Sequence, residues 1–212
     1  MKIIELVLDE DALMNGIDAI SIVENPAIEE NFVALKEHTR KVEFVEQNQE
    51  KRVLMGPALI PNKTIYRVNG EEEFYVYFNR KTIARASELY LMRGYQNNHT
   101  LEHQAKIHGL SVVESWLIDD PDMDKSKLYG FNLPKGTWMV SVKCENEEIW
   151  KEFVKTGAVK GFSIEGYFAD KVKMGKVEMA NKDMLDEVEN MTHEEAMEFL
   201  YEVAKTLNGY AE

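Results

Sequence analysis

Gly161-Phe-Ser-Ile-Glu-Gly-Tyr-Phe168 alternates in character from residue to residue. Read as an extended strand, it sends Phe162, Ile164 and Phe168 to one face and Ser163, Glu165 and Tyr167 to the other. Gly161 and Gly166 permit another backbone to come close. Working outward, Ile3–Leu8, Ala19–Val23, Phe74–Phe78, Ile107–Ile118 and Trp138–Cys144 share the same β-branched and aromatic bias. Asn25-Pro26, Gly56-Pro57, Pro61-Asn62 and Asn69-Gly70 separate them as breakers, and Asn69-Gly70 reads as a tight hairpin turn. Two helices interrupt the strands. Ile83, Ala86 and Leu89–Tyr90 have helical spacing closed by Gly94. Ile149, Trp150, Phe153 and Val154 form a face capped by Asn146 and ended by Lys155 and Gly157. Many short strands with few helices predict an α+β, mainly β fold: a β-barrel or sandwich with helices packed outside.

The last part of the chain differs. Residues 170–191 read as a polar linker with Lys171, Lys173 and Lys176. Thr192-His-Glu-Glu195 is a capping box, and Ala196, Phe199, Leu200, Val203, Ala204 and Leu207 form an apolar stripe that Gly209 stops. A C-terminal amphipathic helix over 192–209 follows, with 1–169 as the main domain. Of the net charge of −13, residues 178–212 carry −8. That balance argues against a nucleic-acid partner held by phosphate neutralisation. No apolar run reaches membrane-spanning length. Met1 to Asp9 lacks the basic start of a secretory signal, so a cytosolic-type compartment is expected. Cys144 is the only cysteine, which excludes an intramolecular disulfide and a cysteine-based zinc site.

Two constellations carry possible chemistry. His99-Thr-Leu-Glu102-His103 spells H-x-x-E-H, which on a helix sets two imidazoles on one face for zinc, with the glutamate as base. The segment between Gly94 and Gly109 is short for a helix, and no third ligand motif is evident. The other is Ser163, standing with Glu165 opposite the apolar face of its strand. A serine hydroxyl needs an imidazole to take its proton, and His103 is the candidate.

Further residues add a resemblance: Ser21-Ile-Val-Glu-Asn-Pro-Ala27, Gly56-Pro-Ala-Leu-Ile-Pro61 with Ile65-Tyr-Arg67, Leu101-Glu-His103, Gly109-Leu-Ser-Val-Val-Glu-Ser-Trp116, Lys135-Gly-Thr-Trp-Met139 and Gly161-Phe-Ser-Ile-Glu-Gly166. Together they resemble the XkdF-type phage prohead (capsid maturation) serine protease family, which is more remotely similar to herpesvirus assemblins. The resemblance covers about residues 1–168 and implies an assemblin-like antiparallel β-barrel with surrounding helices. It implies an endopeptidase, needing no cofactor, that cleaves scaffold, itself and capsid-protein extensions inside the immature capsid in the host cytoplasm. Scaffold and major capsid protein would be its partners, and a homodimer is possible by analogy. Ser163 would be the nucleophile and His103 the general base. The third member would be Glu165, which shares Ser163's face, or Glu114, mid-strand in an apolar run. Two alternatives stand beside this: a non-catalytic assembly or scaffold-binding protein, and a zinc protease using His99 and His103.

Overall fold

The computed structural model describes residues 2–9, 15–36 and 50–171. Among them twelve strands run in chain order: β1 (Lys2–Val7), β2 (Gly16–Val23), β3 (Val33–Lys36), β4 (Glu50–Leu59), β5 (Ile65–Asn69), β6 (Glu72–Phe78), β7 (His99–Leu101), β8 (Ala105–Ile107), β9 (Leu110–Leu117), β10 (Trp138–Cys144), β11 (Gly161–Tyr167) and β12 (Ala169–Asp170). One helix, α1 (Arg80–Met92), follows β6, and a π-helix spans Ile149–Val154. The mainly β reading holds, as do both predicted helices. Asn79 caps α1 by accepting from the Thr82 amide at 2.8 Å. Asn146 accepts from the Ile149 amide at 3.0 Å. The predicted C-terminal helix and its linker from 172 onward lie outside the described residues.

Among the described residues the strands sort into three four-stranded sheets, β12-β1-β6-β5, β3-β4-β10-β9 and β11-β2-β7-β8, and no closed barrel is found. Nor is the pairing wholly antiparallel: β1 runs parallel to β6, and β2 parallel to β7. Alternation in a sequence reports which face a residue uses, whereas neighbour and direction depend on long connections that carry no local signature.

The core lies between these sheets and α1. Ile20 and Ile22 of β2, Trp138, Val140 and Val142 of β10, Leu54 of β4 and Tyr90 of α1 are all completely buried. Tyr90 meets Trp138 edge-on at 5.5 Å between ring centroids. Side chains of this size each contribute about 1.5–3 kcal/mol on burial, so this face fixes β2 firmly. With its even-numbered residues so committed, β2 turns Ala19 and Ser21 to its other face.

Candidate active site

Three segments far apart in sequence meet on that other face. β11 lies antiparallel to β2 with Ser163 opposite Ser21 and Glu165 opposite Ala19. β7 lies on the far side of β2 with Thr100 beside Ser21. Ser163, Ser21 and Thr100 therefore form one row across the sheet. Ala19 is small, so Glu165 passes over it and its Oε1 accepts from the Thr100 hydroxyl. The same oxygen lies 3.0 Å from Nδ1 of His103.

His103 sits in the turn between β7 and β8. Both central residues of that turn are left-handed, Glu102 at φ 52° and His103 at φ 57°. The Gln104 amide closes it by donating to the Leu101 carbonyl at 3.0 Å. Glycine or asparagine is usual in such positions, so Glu-His there stores strain that neighbouring contacts must offset. Those contacts are present. The His103 amide donates to Ser21 Oγ at 3.1 Å, and the Ser21 hydroxyl leans on the Thr100 carbonyl at 3.3 Å. The Glu24 amide donates to the Glu102 carboxylate at 2.6 Å. The imidazole is consequently held by its Nδ1 and backbone, while Nε2 makes no hydrogen bond among the described residues.

Ser163 is nearly buried, at 6% exposure. It is one strand spacing from Ser21, and hence close to the His103 turn, yet no hydrogen bond joins its hydroxyl to His103. Glycines hold this strand in place: a Cβ on Gly166 would land on the Gly16 carbonyl, beside the register shift between Glu165 and Gly166. The structure thus brings Ser163, His103 and Glu165 onto one sheet face.

Glu114 is elsewhere. It lies on β9 in another sheet, 2.8 Å from Lys125 Nζ, and accepts from the Ser141 hydroxyl. The Lys125 ammonium, then the Ser141 hydroxyl, hold its carboxyl below the usual carboxylate range. The zinc arrangement is corrected as well. His99-Thr-Leu-Glu-His103 is strand followed by turn, so its two imidazoles do not share a helix face. His99 is fully buried, with Nδ1 3.1 Å from the Ile20 carbonyl and Nε2 3.1 Å from the Gln96 carbonyl. Burial pushes its pKa down.

Ser21 and Thr100 carry no sign of a role in the sequence, although Ser21 opens the Ser21–Ala27 motif and Thr100 lies inside His99–His103. Their small hydroxyls signal nothing until the strands are paired.

A family model described as "Putative phage serine protease XkdF" matches residues 41–173. No curated protein and no solved structure matches the chain.

Proposed function

The chain belongs to the XkdF family of phage serine proteases, and from that premise we propose that it is an endopeptidase with Ser163 as nucleophile, His103 as general base and Glu165 as the group that orients the base. The observation carrying this reading is the 3.0 Å contact between His103 Nδ1 and Glu165 Oε1, on the sheet face that also bears Ser163. A carboxylate on Nδ1 keeps the proton there and leaves the Nε2 lone pair to accept another. The imidazole is partly open to solvent, and catalytic hydrogen bonds commonly tighten only with substrate bound.

In the reaction, Ser163 Oγ attacks the peptide carbonyl while His103 Nε2 takes the hydroxyl proton. The proton then passes to the leaving amine, and water releases the acyl group by the same route in reverse. The proposed substrates are the phage scaffold, the protease itself and capsid-protein extensions, cut inside the immature capsid in the host cytoplasm; a homodimer is part of this proposal. Ser163→Ala and His103→Ala should each abolish cleavage of co-expressed scaffold, read as fragments on a gel, and leave the thermal unfolding curve cooperative. Glu165→Gln should lower kcat by about 10²–10⁴-fold, the range spanned by acid–base contributions and by loss of an orienting carboxylate. Undiminished cleavage by Ser163→Ala would refute the assignment.

One observation favours a second reading. Ser163 and His103 share no hydrogen bond, as an inert site serving scaffold binding would allow. Scaffold that binds the chain and is never cut would select it.

A further inference from the structure

We propose that a cavity along the open edge of β11 is the specificity pocket of this protease, receiving a large aliphatic or aromatic side chain next to the cut bond, with Arg67 receiving a carboxylate beside it. The inference rests on the serine protease reading above.

The cavity measures about 250 Å³, and Phe162, Ser163, Ile164, Gly166 and Phe168 form one wall. Successive residues of a strand point to opposite faces, so a cavity touching 162, 163 and 164 in turn runs along the strand's edge. β11 has β2 on one side and no strand on the other among the described residues. The start of that open edge is covered. A Cβ on Gly161 would stand 2.6 Å from Pro26 Cγ, and the Phe32 amide donates to the Lys160 carbonyl at 2.8 Å. The stretch that these contacts leave uncovered begins beside Ser163.

The facing wall is apolar: Leu6, Ala58, Ile65, Phe74, Val76 and Phe78. An extended peptide laid on a free strand edge gains main-chain hydrogen bonds and sends alternate side chains off the strand. Here one of them drops into a space walled mainly by aliphatic and aromatic groups, which rewards a large apolar residue over a polar one. Because Ser163 is part of the wall, the filled position adjoins the reacting carbonyl.

Arg67 stands where this cavity meets a polar cleft of about 750 Å³. The cleft's acids are already engaged, Glu24 by Lys160 at 3.3 Å and Glu29 by Lys63 at 3.7 Å. Arg67 donates only to the neighbouring Tyr66 carbonyl, at 3.0 Å, and pairs with no carboxylate among the described residues. An acidic residue flanking the apolar one would complete it.

The test uses the full chain in two arms. A fluorophosphonate probe followed by peptide mapping asks whether wild-type Ser163 is a nucleophile. A proteome-derived peptide library, read by mass spectrometry, gives the residues around each cut. Leu, Met, Phe or Tyr should be enriched about tenfold at one position adjoining the cut, in line with what apolar pockets discriminate, with Asp or Glu enriched nearby. Ala58→Val, which narrows the cavity, should shift the preference to smaller residues. Phe74→Ala, which widens it, should admit Trp, and Arg67→Glu should abolish the acidic preference alone. If Ser163 is labelled and the cut sites show no apolar enrichment, or none that moves with these variants, the pocket assignment falls and the serine mechanism stands. If Ser163 is not labelled and no peptide is cut, both fall.

Discussion

Ser21 carries the His103 turn. Its hydroxyl receives the His103 amide at 3.1 Å, and two adjacent left-handed residues depend on that support. Removing the oxygen forfeits about 1 kcal/mol of hydrogen bonding and leaves an amide without its acceptor. Ser21→Ala should therefore lower kcat about tenfold with KM unchanged, because Ser21 is buried away from any peptide; steady-state kinetics on a cleavable peptide measures this. An equal change in KM would show that the residue acts on substrate. At this scale the sequence was legible for the facing of side chains. Ser163 and Glu165 share a face as the alternation of β11 predicts. It was not legible for partnership. Glu165 and Glu114 are both mid-strand carboxylates, and only the pairing of strands separates the one that meets an imidazole from the one that meets Lys125. His99 shows the converse: its spacing to His103 suggests a shared ligand face, yet the backbone between them is a strand and a turn.

The elements most visible in the sequence were those with a full local signature. α1 has its helical spacing and Gly94 stop, and β6 follows the Asn69-Gly70 turn. β4 was hidden. It begins with Glu50-Lys51-Arg52, and Gly56-Pro57 inside it reads as a breaker. Pro57 is tolerated because it pairs with Met139 where the β4–β10 register shifts, a place where the ladder does not need its missing N–H. Ile107–Ile118 has the residue bias of one strand and is divided between two, β8 and β9. Gly109, at φ 80°, turns the chain between β8 and β9, and a side chain there would crowd Asn146. One helix feature has an energetic cost. The Tyr90 hydroxyl on α1 is buried with no hydrogen-bond partner among the described residues, and burial pushes its pKa up. Tyr90→Phe keeps the ring on Trp138 and removes the unsatisfied oxygen. It should raise unfolding stability by about 1 kcal/mol, read from the midpoint of urea denaturation. A lower midpoint would mean that the hydroxyl has a bonding role.

Across the whole molecule, Glu5 ties the chain's beginning to its middle and to the end of the described region. It accepts from Asn79, the cap of α1, from Tyr77 at 3.1 Å and from Lys171 Nζ at 2.8 Å. The Lys171 bond first, then the Asn79 bond, lower its pKa in the fold. A lowered carboxylate pKa means the folded state binds fewer protons, so the stabilisation is present above the unfolded pKa and is lost as pH falls through the folded one. Glu5→Gln should be less stable than wild type at pH 7, and the gap should close under acid conditions, measured by thermal unfolding across pH. A gap constant with pH would assign the effect to packing. The proposed site has the same long reach, since Ser21, His103 and Glu165 come from segments about 80 and 60 residues apart that share one sheet. A chain still leaving the ribosome at residue 160 already contains the His103 turn, but nothing yet anchors its imidazole and no Ser163 exists. Hydrolytic competence would thus arrive late in synthesis, which would protect the nascent polypeptide from its own chemistry.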